Sequence, residues 1–290
     1  ESLYLKNFMK SSIKINHKVL KFLSQPHEYK ILDDNEFNNI IKFTLKNNEN
    51  KTEIDMKTIY YDVETYTDAQ NNIIPYYNYL SVWNMGKEVI TQEFILGDNS
   101  TDVNFDTFNF IIQLIEKDCI EKNTNNKELN LFYKLPYTVC AYNGSGFDFH
   151  FIMNQYLYSC YSEKYELKHI IKDNKLLSIR LVDPGNNRII LRTHDIFNII
   201  GGSLENAVKD FAPEMINNNK DVFPHLLVNN NLNIWLKDYI SIDFCDFYND
   251  DLDKVKNLIS TKQIDLDKYP IKKNLAQYCK KDVELLISIY

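Results

Sequence analysis

The chain of 290 residues carries 33 Lys and Arg against 40 Asp and Glu, which gives a net charge of −7. A hydrophobic fraction of 44% and a charged fraction of 25% are those of a globular protein, and they exclude wholesale disorder or a small disulfide-rich scaffold. The acidic balance argues against a protein that coats nucleic acid through a basic surface, but it is compatible with an enzyme that holds a nucleic-acid end at metal-bound carboxylates. No segment approaches the roughly 20 apolar residues of a membrane span, so we expect none.

The five cysteines are scattered and form no C-x-x-C pair, which argues against a zinc ribbon and favours a reducing, intracellular setting. The first residue is Glu1 rather than an initiator Met, and the last predicted helix has no stop signal. We therefore expect a piece of a longer protein.

The spacing of apolar residues predicts an α/β order in the first half of the chain. Residues 1–57 are polar with short apolar runs, and we interpret them as an N-terminal extension of uncertain role with short helices or strands. β-Branched and aromatic residues predict strands at 58–66, 79–85, 89–96 and 138–142, and apolar residues at helical spacing predict a helix over 105–120.

The second half predicts further helices and a hairpin. A turn at 143–146 leads into a helix that ends near residue 157, and strands at 176–181 and 188–193 flank the turn sequence Asp-Pro-Gly-Asn-Asn. We predict a helix over 203–211 capped by Ser203, loops at the Asn runs 217–219 and 229–231, and an amphipathic helix over 271–290. This order predicts a central mixed sheet flanked by helices.

Asp62 and Glu64 form a D-x-E pair on the first predicted strand. Because side chains alternate along a strand, both carboxylates lie on one face. Two such groups repel each other and are costly to bury unless a divalent cation with oxygen ligands binds them. Taken alone, the pair is more typical of a solvent-facing strand than of a metal site.

Asp148 follows a Gly-rich turn in the sequence Asn143-Gly-Ser-Gly-Phe-Asp, where a strand ends and a helix begins. Its carboxylate is therefore expected near the edge of the sheet, beside the D-x-E pair. A helix cap is the alternative role for Asp148, with the flanking aromatic residues in the core.

Tyr278 and Asp282 are four residues apart in the closing helix, so they lie on one helical face. An amphipathic surface helix would have the same pattern. Tyr239 and Asp243 share this spacing, and we set them aside on their position in the chain.

The three motifs together, D-x-E on a strand, N-x-x-x-F-D, and Y-x-x-x-D on a late helix, resemble Exo I, Exo II and Exo III of the DEDDy 3′–5′ exonucleases. The resemblance covers 58–290, which we expect to form an RNase H-like exonuclease domain. The sequence is most similar to the proofreading domain of family B DNA polymerases of the protein-primed group, found in linear plasmids, phages and related mobile elements. Ser203-Leu204 and Lys209-Asp210-Phe211 add to that similarity.

The resemblance implies that two Mg²⁺ or Mn²⁺ ions are held by four carboxylates: Asp62, Glu64, Asp148 and Asp282. Tyr278 would orient the attacking water, since a phenol with a pKa near about 10 is a poor base. A lysine between Exo II and Exo III would stabilise the transition state. Lys220 is our candidate for it, and Lys209 is the rival.

The resemblance also implies a substrate and partners. The residues that match contacts to an unpaired DNA 3′ end are Thr65, Tyr142, Asn143, Phe147 and Phe151. The two phenylalanines also fit a helix core, and Tyr142 also fits a core strand. A polymerase domain in the same longer chain and a terminal protein are the expected partners, and the compartment would be the cytoplasm, or the mitochondrion for an organellar plasmid.

Two other functions stay open at this point. One is a free-standing exoribonuclease of the same superfamily, which would degrade RNA rather than DNA. The other is a catalytically silent domain that docks a terminal protein. All four carboxylates and the tyrosine are present, which argues against the silent domain.

Overall fold

The computed structural model describes residues 57–290, with gaps at 69, 85, 122–134, 174, 219–221, 225–226, 228–236 and 248–251. The elements predicted before residue 57, the loop predicted at 229–231 and the candidate Lys220 all lie outside the described residues.

Seven strands form one mixed sheet in the order β3-β2-β1-β4-β7-β6-β5. The strands are β1 Lys57–Thr67, β2 Ile73–Asn84, β3 Lys87–Ile95, β4 Tyr137–Ala141, β5 Glu166–Lys172, β6 Lys175–Asp183 and β7 Arg188–Asp195. β1 pairs antiparallel with β2 and parallel with β4, and β4 pairs parallel with β7. This arrangement confirms the predicted α/β class with a central mixed sheet.

Six α-helices accompany the sheet in the described part of the chain. They are α1 Val103–Glu121, α2 Asp148–Tyr158, α3 Phe197–Ile200, α4 Leu204–Phe211, α5 Leu252–Ser260 and α6 Ile271–Ile289. Ser203 caps α4 as predicted, because its hydroxyl oxygen accepts a hydrogen bond from the Asn206 N–H at 3.2 Å.

The alternation of side chains along β1 divides the core into two layers. Ile59, Tyr61 and Val63 belong to the cluster that packs on α1 and α2. Tyr60 and Tyr66 belong to the opposite cluster, which contains the apolar face of α6. Since strand residues alternate, Asp62 and Glu64 occur on the α6 side of β1, where they are half-buried.

Most element boundaries agree with prediction to within a few residues, and the exceptions are as follows. The short helix α3 was not predicted. β2 begins at Ile73 rather than at 79. β5 was not predicted, because it is an exposed edge strand without a continuous apolar face. α5 was also missed, since only Val255 of its residues is fully buried. Residues 217 and 218 end a 3₁₀ turn, Pro213–Asn218, rather than lying in a loop.

Candidate active site

The Exo I carboxylates face α6 at the centre of the sheet. The Cys279 thiol on α6 lies 3.0 Å from Asp62 Oδ2, and one donor atom each of Asp62, Glu64 and Cys279 lies within 4.8 Å of the other two. A register shift in β1 follows Glu64, where the β1–β2 ladder is interrupted. The structure therefore places both predicted carboxylates together and adds a thiol that the motif does not contain.

Asp148 is the first residue of α2 and is buried. Burial raises the pKa of its carboxyl well above the ordinary value, and the negative charge of Asp62 raises it further. A hydrogen bond with the Val63 backbone acts in the opposite direction. Phe147, rather than Asp148, occupies the N-cap position of α2, and no side chain caps that helix. Asp148 thus lies close enough to β1 for its charge to couple with that of Asp62.

The two Exo III residues lie on the buried side of α6. Asp282 is 9% exposed and lines a cleft together with Asp62. Tyr278 is 4% exposed, and its ring centroid lies 5.7 Å from that of Phe223. Tyr239 and Asp243, the other pair with this spacing, are arranged differently. Tyr239 is 53% exposed, and the segment from Tyr239 to Asp243 contains no helix.

The cleft has a volume of about 350 Å³ and opens beside the carboxylates. Its described walls come from β1, the residues after β4, the segment from the start of α3 to the start of α4, and α6. The lining residues are Tyr61, Asp62, Tyr142, Asn143, Phe197, Gly202, Ser203, Leu204, Asp282 and Leu286.

The turn after β4 carries two of the residues expected to contact DNA. Tyr142 donates a hydrogen bond from its hydroxyl to the carbonyls of Gly201 and Gly202, each at 3.0 Å. Asn143 is exposed and has a left-handed backbone with φ of 63°. A side chain at Gly144 would place Cβ 2.8 Å from Ala141 Cβ and from the Phe149 ring, so glycine is required there.

Asp195, at the end of β7, holds this turn. Its Oδ1 accepts the backbone N–H groups of Asn143 at 2.9 Å and Phe197 at 3.0 Å. Its Oδ2 accepts the Ser145 N–H at 3.0 Å, the Ser145 hydroxyl, and the Asn198 amide at 3.2 Å. A carboxylate is suited to this position because it accepts several hydrogen bonds and donates none.

The other three residues predicted to contact DNA, Thr65, Phe147 and Phe151, are not among the residues that line the cleft. Phe147 and Phe151 pack edge to face on each other with centroids 5.3 Å apart, and both pack against the core layer under α2. Thr65 follows the register shift of β1 and is half-buried. The rival lysine Lys209 is exposed and forms an ion pair with Glu205 at 2.7 Å.

Three residues of this region were missed by reasoning from sequence: Cys279, Asp195 and Phe197. Asp195 ends a strand that runs parallel to β4, so a carboxylate at that strand end could have been considered. Cys279 and Phe197 carried no comparable sign in the sequence.

Comparison with known proteins identifies the family of the chain. Residues 128–290, more than half of the chain, match the model of the family described as DNA polymerase type B, organellar and viral. The chain belongs to that family, which confirms the predicted resemblance to family B polymerases. No curated protein gives a significant match.

The solved structures that resemble the chain include phi29 DNA polymerase complexed with primer-template DNA in a post-translocation binary complex. The match has 12% sequence identity and a TM-score of 0.40, and it covers 80% of this chain and 30% of that polymerase. The chain therefore spans about 30% of the length of the polymerase that it matches. Among the residues described, no helix is both long and apolar enough to cross a membrane.

Proposed function

We propose that the domain 58–290 is a metal-dependent 3′–5′ exonuclease that removes nucleotides from DNA 3′ ends and proofreads for a protein-primed DNA polymerase during replication. One observation carries the proposal. In a chain of the family B polymerases, Asp62 and Glu64 bring carboxylate oxygens close together on β1, and Asp148 at the start of α2 lies near enough that, besides its burial, the negative charge of Asp62 raises its pKa.

The carboxylates fit a pair of divalent cations. Carboxylate oxygens are the ligands that Mg²⁺ and Mn²⁺ prefer, and a cation would offset both the burial of Asp148 and its repulsion from Asp62. Asp282 of α6, which lines the same cleft as Asp62, would add a fourth carboxylate. When bound, two such ions supply an activated water and relieve the charge on the phosphate.

The other residues would bind and orient the substrate. Tyr142 and Asn143 line the cleft and would contact the last nucleotides of a single-stranded 3′ end. Tyr278 would hold the attacking water through its hydroxyl rather than remove its proton. Lys220 would stabilise the charge that develops on the phosphate. A polymerase domain in the same longer chain and a terminal protein are the partners that we propose.

Replacement of both Exo I carboxylates tests the proposal. We expect Asp62→Ala with Glu64→Ala to abolish degradation of a 5′-labelled single-stranded DNA in Mg²⁺. Removal of two repelling carboxylates should leave thermal stability in the absence of metal unchanged or higher. A matched control is Asp265→Ala with Asp267→Ala, an exposed acidic pair with the same spacing, which should keep the full rate.

Three results would contradict the proposal. Degradation by the Asp62 and Glu64 double variant at the wild-type rate would show that the metal site lies elsewhere. Faster degradation of RNA than of DNA with the same free 3′ end would favour the exoribonuclease. No degradation of either substrate by the wild-type protein, with Mg²⁺ or Mn²⁺, would favour the silent binding domain.

A further inference from the structure

We infer that Cys279, together with Asp62 and Glu64, forms a site for one thiophilic divalent cation of the Zn²⁺ class. An ion held there keeps the Mg²⁺ or Mn²⁺ pair from binding and so stops hydrolysis. Binding of the ion follows from the geometry and chemistry of these three residues. Its inhibitory effect rests on the proposed function, so metal binding is measured separately from hydrolysis.

The three donors come from two elements that face each other. Asp62 and Glu64 lie on the α6 side of β1, and Cys279 lies on α6 with no exposed surface. One donor atom of each residue lies within 4.8 Å of the other two, and the Cys279 Sγ lies 3.0 Å from Asp62 Oδ2. A tetrahedral zinc ion, with bonds of about 2.1 Å to oxygen and about 2.3 Å to sulfur, separates those two donors by about 3.6 Å. The thiol and the carboxylate therefore need to part by only about 0.6 Å to enclose an ion.

Sulfur changes the cation that this site prefers. Carboxylates alone suit Mg²⁺ and Mn²⁺, whereas a thiolate is a soft ligand that favours Zn²⁺ over both. The Cys279 thiol donates a hydrogen bond to Asp62 Oδ2, so it carries its proton in the absence of metal. That proton passes to solvent when the cation binds, and the thiolate then coordinates the ion. Two carboxylates and one thiolate supply three ligands, and a water molecule completes the tetrahedron.

The position of the thiol defines the site, and a cysteine beside acidic residues is not sufficient. Cys245 is exposed and has Asp243 and Asp246 as neighbours. Within the described part of the chain, however, the Exo I carboxylates with Cys279 are the one group of three His, Cys, Asp or Glu residues whose donor atoms converge in this way. Cys245 is therefore the matched control for Cys279.

Occupancy by zinc and hydrolysis exclude each other because both use Asp62. Asp62 and Glu64 are two of the four carboxylates proposed to hold the Mg²⁺ pair, and Asp62 lines the cleft. Protein sites generally bind Zn²⁺ more tightly than Mn²⁺, and a thiolate ligand widens the difference. Zn²⁺ added in the presence of Mg²⁺ should therefore slow the degradation of single-stranded DNA, and a zinc chelator should restore the rate.

Cadmium reports directly on a bound thiolate, so it tests the site without any measurement of activity. Metal-free wild-type protein titrated with Cd²⁺ should develop a near-ultraviolet charge-transfer band from thiolate to metal that saturates at one equivalent. Cys279→Ser replaces the sulfur by oxygen in a side chain of the same shape and should abolish the band. Cys245→Ser should keep it.

The ratio of two metal affinities separates loss of a ligand from loss of structure. Competition with a chromophoric chelator gives the Kd for Zn²⁺, and electron paramagnetic resonance gives the Kd for Mn²⁺. Cys279→Ser should lower the affinity for Zn²⁺ relative to Mn²⁺ by at least about 10-fold, since loss of even an outer partner of a metal ligand costs about 10- to 100-fold. A substitution that only disturbs the fold would weaken the binding of both ions together.

X-ray absorption identifies the ligands in the wild-type protein, and it decides if Cys279→Ser does not fold. With one equivalent of Zn²⁺, the spectrum should show one sulfur at about 2.3 Å together with oxygen ligands. Cys245→Ser should show the same sulfur. A spectrum with oxygen or nitrogen neighbours alone would overturn the inference.

The outcomes separate this site from the proposed function. If the wild type degrades DNA in Mg²⁺ but gives no cadmium band, or if Cys279→Ser keeps both the band and the ratio of affinities, the thiol site is wrong and the exonuclease assignment stands. A cadmium band that requires Cys279, in a protein that degrades neither DNA nor RNA, would support the thiol site and refute the exonuclease. If the wild type binds neither Zn²⁺ nor Mn²⁺, both fail.

Discussion

Asp195→Asn is the substitution that best tests how the cleft is held in shape. The side chain keeps its size, but one carboxylate oxygen becomes an NH₂ group that can only donate. Asp195 is 3% exposed and accepts five hydrogen bonds, three of them from the backbone N–H groups of Asn143, Ser145 and Phe197. Whichever oxygen is replaced, two N–H donors lose their acceptor and face an NH₂ group.

The magnitude follows from those two lost bonds. A hydrogen bond to a charged group contributes about 1.5–3 kcal/mol, so loss of two should lower the free energy of unfolding by about 3–6 kcal/mol. Removal of the negative charge offsets part of this, since that charge helps to raise the pKa of the nearby Asp148. At about 2–4 °C per kcal/mol for a domain of this size, the melting temperature should fall by about 6–24 °C before that offset.

The assay is calorimetry or urea unfolding, together with single-strand binding in EDTA. Asp183→Asn is the matched control, since Asp183 also accepts a backbone N–H, from Gly185 at 2.9 Å, and an amide, from Asn186 at 2.7 Å, but in an exposed turn. Because water replaces those bonds, the control should cost less than about 1 kcal/mol.

A second readout distinguishes loss of stability from loss of shape. Even below the melting transition, the Asp195→Asn variant should bind single-stranded DNA more weakly than the wild type. The reason is that Asp195 no longer fixes the turn that carries Asn143 or the backbone at Phe197. A free energy of unfolding within about 1 kcal/mol of the wild type would refute the reasoning on buried hydrogen bonds. Unchanged DNA affinity would show that the turn keeps its shape without Asp195.

Three further predictions concern catalysis, stability and substrate. Tyr278→Phe keeps the packing of the buried ring and should lower the single-turnover rate while DNA affinity is unchanged. Tyr239→Phe should leave the rate nearly unchanged. The reverse ranking would mean that Exo III was assigned to the wrong segment. Lys57→Met should lower the free energy of unfolding by about 3–5 kcal/mol in urea titrations, because it leaves the buried Asp118 carboxylate without its ion-pair partner. Adding Asp118→Leu should recover most of this loss. A double variant no more stable than Lys57→Met alone would contradict the prediction. Mismatched 3′ ends should be degraded faster than paired ends, because a mismatch has already lost part of its pairing energy, and equal initial rates would show that the domain melts the duplex itself.

The positions of the carboxylates could be predicted where local geometry decides them. The period of two along a strand puts Asp62 and Glu64 on one face whatever surrounds them. The glycine-rich sequence after β4 indicates a turn, and Gly144 is required there because any larger side chain would meet Ala141 and Phe149. Apolar residues at helical spacing likewise predicted α1, α2 and α6. Each of these features depends on neighbours in the sequence.

Contacts between distant residues depend instead on which strands lie side by side. Cys279 contacts Asp62 across 217 residues because α6 packs on the face of β1 that carries the carboxylate. Asp195 reaches the turn after β4 because β7 pairs in parallel with β4, so the ends of the two strands meet at one edge of the sheet. Phe197 follows the end of β7 and lines the cleft, and its N–H donates to Asp195 Oδ1. Neither periodicity nor motif spacing encodes these placements, since the strand order and the packing of both layers must form before the residues meet.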